Sequence, residues 1–503
     1  MARSRIFQGL VVAHWVAGVA YLSWRCTAGL MGSSLVLSLL FLGAEFYAFA
    51  VAVGFGLSHF ASQQPLGSSP SPSQDPDSRQ DPSLPASSNR AITPPLRLAL
   101  GELPSVTVVI QRRWDSVEIT AQTARSALQL RYPWHRLFVV ILDAEEDDKM
   151  RRAAAQIPCE YVVCAQQDPL VDALAQTSGE FIFWLQPGHL PDANGLEAML
   201  PYFYDFPTKA PILNSTAFVQ ATLRTLGQPF PDHPLQQLIP LGSFSSGIAP
   251  LLGTGMVLRR AGLDSITDLD VRRPVRLGSQ LHRRGWVSHV CSQTEVQGGL
   301  LPLRNRRVAL LAVLDACVFG LLRSWPQLNR TQWIAYLRLL LWSLSGLPLM
   351  AYFGIPLWFL LTGQTPVPAF DGIYLAWVAP YLCLGLVVWG MVYRSYGLQR
   401  AWQAERYTGA QFFQSIMAAI QAMREMPPHP DRPSQLTLGS QAMMIVLTLG
   451  IVGYRLGKFQ DLDQLGISPL GVGITLVWVL CNLLVLSVRP LDLSRSQTYT
   501  AID

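Results

Sequence analysis

Six long apolar runs limit what this chain can fold into. Residues 7–24, 34–58, 336–362, 372–395, 439–457 and 469–488 are nearly free of charge. Each is about long enough to cross a hydrocarbon core of ~30 Å at ~1.5 Å per residue. Six transmembrane helices are therefore expected. The first is too long, and too quickly followed by the second, to be a cleaved signal peptide, so it reads as an anchor. The balance of the 503 residues agrees, with half of them apolar and only 14% charged.

Arg and Lys orient the spans. Arg3, Arg5, the polar interval 59–335, the basic segment 393–438 and the tail with Arg489 and Arg495 fall on one side. The opposite connection 363–371 has no Arg or Lys, and Arg455 and Lys458 are a mild exception in the last one. The positive-inside rule then places both termini and the polar domain in the cytoplasm, on a plasma (inner) membrane protein in contact with membrane lipid. The formal charge of +5 fits membrane apposition and gives no sign of nucleic-acid binding. Seven scattered cysteines, of which only Cys159 and Cys164 are close, form neither a zinc pattern nor a disulfide framework.

Eight segments follow from this pattern: a helix pair (1–60), a linker (61–96), a polar domain (97–300) and an interfacial region (301–335). A second helix pair (336–396), a cytoplasmic helix and loop (397–438), a third pair (439–490) and a tail (491–503) complete the chain. The linker is rich in Ser, Pro, Gln and Asp and cannot bury a core, so it reads as a disordered tether. In 410–424, Phe413, Ile416, Met417, Ile420 and Met423 fall on one stripe, expected to lie at the membrane interface or to pack on a neighbour.

The polar domain alternates strands and helices. Strands are expected at 104–110, 137–143, 160–165 and 181–185, and helices at 116–130 and 147–156. This predicts an α/β domain with a mostly parallel doubly wound sheet. Ligands bind such sheets at the carboxyl ends of the strands, where Gln111, Asp143 and Gln186 fall.

The order of motifs resembles that of the processive family-2 glycosyltransferases of the cellulose synthase type. "YLSWR" (21–25) and "AEFYA" (44–48) carry the likeness in the anchor pair. "PSVTVVI", "RYPWHRLFVVILD", "ALAQTSGEFIFWL", "GHLPDANGLEAMLPYF", "GTGMVLRR" and "LHRRGW" carry it in the domain. The resemblance implies a cytoplasmic nucleotide-sugar transferase (GT-A) domain on a membrane helical bundle. Chemistry of this kind uses a nucleotide-contacting carboxylate, metal carboxylates in a turn, a base that deprotonates the acceptor, and a glycan-holding Gln-x-x-Arg-Trp segment.

Most of these are replaced here. Asp143 stands where the first carboxylate belongs, as a nucleotide contact or as a cap of the next turn. Gln186 and Gly188 stand where the metal carboxylates belong, and the base position falls at Arg272–Pro274, with Asp268 and Asp270 too early. Residues 166–171 ("QQDPLV") replace a nucleotide-packing segment, and 303–308 ("LRNRRV") lacks the Gln and Trp. His189 is the one ligand-type side chain in the turn and is expected to be structural. A positioned base contributes roughly 10²–10⁴ in rate, and a Lewis-acid cation several kcal/mol more, so losing both removes most of the transfer chemistry. No cofactor is expected, the family's divalent-cation site being lost.

Arg112 and Arg113, with Arg272 and Arg273, either face the cleft and neutralise a diphosphate without metal or form a solvated or headgroup-facing basic surface. Glu45 and Asp315 are the few acids in apolar surroundings, too few for an ion-coupled transporter. Three readings follow. One is a catalytically degenerate subunit assisting an active polysaccharide synthase or export partner. The others are a metal-independent transferase with a nucleotide-sugar donor, and a non-enzymatic scaffold or channel.

Overall fold

The computed structural model describes residues 2–62 except 29 and 31–33, and 103–164 except 113 and 114. It also describes 177–225 except 206–211, and 248–298 except 250, 252 and 267–273. Towards the carboxyl terminus it covers 328–394 except 329, 368–371, scattered positions within 398–420, 433–457 and 469–487. The linker 63–96, residues 166–171, Arg113, Asp268, Asp270, Arg272, Arg273, 303–308, Asp315 and Met423 lie outside the described residues. The chain divides into two compact units, one of helices drawn from both ends of the sequence and one of the α/β domain between them.

The α/β unit starts with β1 (Val106–Arg112), α3 (Val117–Leu128), β2 (Leu137–Asp143), α4 (Asp148–Ala154), β3 (Glu160–Val163) and β4 (Phe181–Leu185). Strand β1 outlasts its apolar run by two residues, because Gln111 and Arg112 still pair with Leu142 and Asp143 of β2. Helix α3 begins where the Ser116 hydroxyl accepts from Ile119 N–H, and α4 where the Asp147 carboxylate accepts from Lys149 N–H. Thr120, Ala121, Thr123, Ala124 and Ala127 form the buried face of α3. All five residues of β4 are buried, as a strand covered on both faces requires.

Sheet order is β3-β2-β1-β4-β9-β8-β10-β5, with β5 (His189–Pro191), β8 (Thr216–Thr225), β9 (Met256–Arg259) and β10 (Val287–Gly298), while β6 (Tyr204–Asp205) and β7 (Ile212–Leu213) pair by themselves. Strands β1 to β4 are parallel, whereas β9 runs antiparallel to both β4 and β8. The four strands expected from sequence are thus parallel, and the sheet as a whole is mixed because the later strand β9 joins it antiparallel. Helical crossovers make the parallel half, and apolar alternation alone does not reveal which neighbour a later strand joins. Gly179 permits the start of β4 to lie against β1, since a Cβ there would come within 2.4 Å of Thr107 Oγ1 and 2.8 Å of its backbone nitrogen. After the short helices α5 (Gly195–Met199) and α6 (Arg260–Asp264), helix α7 (Pro274–Arg283) closes the core, its Leu277 and Leu281 in one buried cluster with Phe218, Leu251 and Trp184.

In the helical unit, α1 (Ala2–Thr27) and α2 (Leu35–Ser62) precede α8 (Arg330–Ser343), α9 (Gly346–Thr362) and α10 (Gly372–Tyr393). Helices α11 (Pro433–Gly457) and α12 (Pro469–Leu486) follow. Among the described residues five segments are long and apolar enough to cross a membrane: Arg5–Thr27, Leu35–Gly54, Gly372–Val392, Gly439–Gly457 and Pro469–Leu486. The sixth expected span, 336–362, is divided at Leu344 and Ser345 into α8 and the 17-residue α9. Gly346 and Pro348 explain the break, because proline lacks the N–H that a continuous helix needs.

Glu45 is not alone at depth. Arg25 Nε donates to its carboxylate at 2.9 Å, and the Tyr21 hydroxyl donates to the other oxygen. Aromatic rings fill the space around them, with Tyr21 stacked on Tyr381 and Trp24 on Trp377. Of the 410–424 stripe, Phe413 and Ile416 join a cluster with the neighbouring Phe412, Phe353 of α9, Met444 of α11 and Leu486 of α12. These two stripe residues therefore meet other helices of the same unit.

Candidate active site

The strand order reverses direction between β1 and β4, so the crevice beyond their carboxyl ends is where a doubly wound sheet accepts a ligand. On one side of this crevice the parallel register sets Arg112 and Asp143 side by side. Arg112 Nη1 donates to Asp143 Oδ1 at 2.9 Å and Oδ2 at 3.0 Å, and Nη2 donates to Asp147 Oδ2 at 2.9 Å. Its Nε donates to the Asp115 carbonyl at 3.0 Å, and Glu145 stands 3.7 Å from Nη2.

Asp143 is fully buried and accepts three more hydrogen bonds: from Tyr161 Oη at 2.7 Å and from the N–H groups of Asp147 and Glu145 at 3.0 and 3.1 Å. Its two oxygens offer about four lone-pair sites, and these contacts use them. Burial pushes the carboxyl up, but the Tyr161 hydroxyl, the two backbone N–H groups and Arg112 outweigh it and hold it below its ordinary value. Burial likewise pulls the Arg112 guanidinium down, and its acidic neighbours more than compensate, so it stays charged.

The loop that carries these acids turns at Glu146, whose φ of 53° is left-handed. Asp143 thus caps the turn that follows β2, one of its two expected roles. Arg112 is neither solvated nor headgroup-facing, because its guanidinium is turned onto the acids of this loop. Asp147 and Tyr161 were not expected at the site. Their only sequence signal is local: Asp147 lies four residues past the strand-end Asp143, and Tyr161 sits two residues before the register partner of Asp143.

On the other side, the turn after β4 is held from two directions. Gln186 N–H donates to Thr254 Oγ1 at 3.0 Å, and its Nε2 lies 3.4 Å from the Gly253 carbonyl. Gly188 N–H donates to Thr123 Oγ1 of α3 at 2.8 Å, with φ at +82°, a backbone state that favours glycine. His189 N–H donates back to the Gln186 carbonyl. Burial pulls the His189 imidazole down to about 4, so it is neutral at pH 7. Among the described residues no group of three or more His, Cys, Asp or Glu side chains is placed to hold a metal ion. Of the other expected site residues, only Pro274 is described, as the first residue of α7.

No family model matches the chain. By its mixed sheet and the position of its crevice, the domain has a GT-A-like fold. The solved mannosyltransferase from Pyrobaculum calidifontis, in complex with GDP-Man and Mn2+, matches with a TM-score of 0.52 at 13% identity. The match covers 78% of this chain and all of that one. In sequence, the chain is similar to Cellulose synthase 2 of Novacetimonas hansenii, 23% identical over 401 residues, which is 74% of this chain. The sequence likeness agrees with the resemblance its motif order carries, and the chain spans only 23% of that relative's length.

Proposed function

We propose that this protein is a catalytically degenerate, cellulose synthase-like membrane subunit that assists an active synthase in building or exporting an extracellular polysaccharide. Five long apolar helices and the cellulose synthase likeness support a membrane protein. In this reading it lies in the inner membrane with the GT-A domain in the cytoplasm, as the Arg and Lys distribution suggests.

One observation carries the reading. The strand-end carboxylate best placed to meet a nucleotide is saturated by the protein's own donors, Arg112 foremost. The turn across the crevice offers a carboxamide at Gln186 and a glycine at 188. A divalent cation of the Mg2+ type needs oxygen ligands, at least one or two of them carboxylates. Among the described residues Arg112 takes Asp143 and Asp147 and faces Glu145 at 3.7 Å, and the turn across the crevice offers no carboxylate, so the described donor set does not fit the cation. We therefore propose that the cleft takes no divalent cation in the family manner.

A metal-independent transferase is the less favoured alternative, since Arg112, one of its four arginines, already neutralises Asp143 and Asp147. The test is transfer of radiolabelled sugar from nucleotide-sugars by the purified full-length protein, alongside calorimetric titration of nucleotide diphosphates. No transfer is expected. Turnover above that of a boiled control would sink the degenerate reading, and tight nucleotide binding without transfer would leave a nucleotide-sensing subunit.

A further inference from the structure

Among the described residues two arginines are buried in the helical unit, and they differ in one respect. Arg25 has its anion inside the protein, Glu45, at 2.9 Å. Arg455, two residues before the end of α11, is only 6% exposed, and among the described residues its Nε and Nη2 have no hydrogen-bond partner. Even the last carbonyls of its own helix do not accept from them. A guanidinium is always charged and carries five donors in a planar fork. Buried donors of this kind are ordinarily satisfied, and a buried charge is ordinarily paired.

The position says what kind of partner is missing. Thr448, Ile451 and Arg455 share one buried face of α11, spaced three and four residues apart. Ile451 packs in the interior cluster with Val472 and Val479 of α12. Arg455 therefore continues an inward face one turn beyond the apolar core, at the end of a helix of membrane-crossing length. Its flanking residues Tyr454 and Leu456 are 52% and 56% exposed, and Val446, Leu447 and Leu449 below them are exposed as well. In a bilayer those residues face acyl chains, and the helix end lies at headgroup depth, where aromatic and basic side chains concentrate.

We infer that Arg455 is the anchoring cation of a phospholipid site at the carboxyl end of α11, its guanidinium fork receiving the headgroup phosphate while the acyl chains follow the exposed face. Fork-to-phosphate pairing is bidentate and charge-assisted, which makes arginine the suited side chain. This inference rests on the membrane-spanning reading and is independent of what the GT-A domain catalyses.

The test uses the full-length protein, delipidated in detergent and examined by native mass spectrometry. Phosphatidylglycerol is added in one arm, monogalactosyldiacylglycerol with the same acyl chains but no phosphate in a second, and inorganic phosphate in a third. The parent is expected to retain phosphatidylglycerol at least tenfold better than the galactolipid, and Arg455→Gln to lose about tenfold of that preference. Arg455→Lys, which keeps charge but not the fork, is expected to fall between them and serves if the glutamine variant cannot be purified.

The inference is overturned if parent and variants retain the two lipids alike, or if Arg455→Lys equals the parent. It is also overturned if inorganic phosphate at the same concentration displaces the lipid, which would indicate a site for the free anion. Release of the protein from the membrane fraction by alkaline carbonate without detergent is a different failure, since it would refute the membrane reading itself.

Discussion

Replacing Arg112 with methionine tests whether the crevice wall is held by a buried ion pair. The substitution keeps most of the aliphatic volume and removes the guanidinium that faces Asp143 and Asp147. Removing one partner of a buried pair costs roughly 3–5 kcal/mol, because an uncompensated charge stays behind. Asp143 retains the Tyr161 hydroxyl and two backbone N–H groups, so the loss belongs at the lower end, about 3 kcal/mol. At ~2–4 °C per kcal/mol for a domain of this size, the melting temperature should fall by roughly 6–12 °C. Intrinsic tryptophan fluorescence of the full-length protein in detergent reads this, Trp184 being fully buried in the sheet.

Adding Asp143→Leu to Arg112→Met removes the stranded charge and should recover most of the loss. The sign with pH follows from the lowered carboxyl of Asp143. Stability from a depressed carboxyl is fully present above its unfolded value of about 4 and is lost as pH falls through the lower folded value. The gap between parent and Arg112→Met should therefore be level from about pH 5 to 8 and narrow only below about 4. A loss under about 1 kcal/mol at neutral pH, the range of an exposed pair, would refute the buried-pair reasoning.

Other consequences are open to direct measurement. Gly179→Ala should destabilise the domain by about 1–3 kcal/mol, because the new Cβ meets the β1 backbone at Thr107, and unchanged melting would contradict that close approach. Glu146→Gly should stabilise by up to about 1 kcal/mol by relieving a left-handed residue, and a loss would mean that the Glu146 side chain matters more than its backbone. Affinity for nucleotide diphosphates, if calorimetry detects any, should be the same with and without magnesium or manganese, and a clear metal-dependent gain would mean that the cleft assembles a cation site after all. Glu45→Gln should weaken the helical unit by about 3 kcal/mol, since Arg25 would be left buried without its anion, and a near-neutral change would assign the pair no structural part.

Much of the fold was legible because its signals are local. Strands 137–143 and 181–185 are continuous apolar runs with β-branched and aromatic residues, and both appear where expected. Spans of membrane-crossing length need no partner to be recognised, and five of six are present as such. The exception, 336–362, reads as one run because hydropathy averages over a break that backbone geometry makes at Ser345–Pro348. The two-residue shift of β1 has a related cause. Its apolar stretch stops at Ile110, but ladder pairing with β2 continues to Arg112.

The site was legible only as a set of replacements. Chain order was enough to show that Gln186 and Gly188 stand where carboxylates are expected, and that Asp143 alone remains at a strand end. What Arg112 does was not readable from sequence, since its partners Asp143 and Asp147 lie 31 and 35 positions away, and Tyr161, which donates to Asp143, lies 49 away. Two parallel crossovers bring them together, with a register that places the last residue of β1 beside the last residue of β2. The antiparallel pairing of β9 with β4 and β8, and the burial of Arg455 without a hydrogen-bond partner for its Nε and Nη2 among the described residues, are likewise tertiary facts. Periodicity fixes which face of an element is apolar, while the neighbour that covers that face is chosen by long-range pairing, which no local pattern encodes.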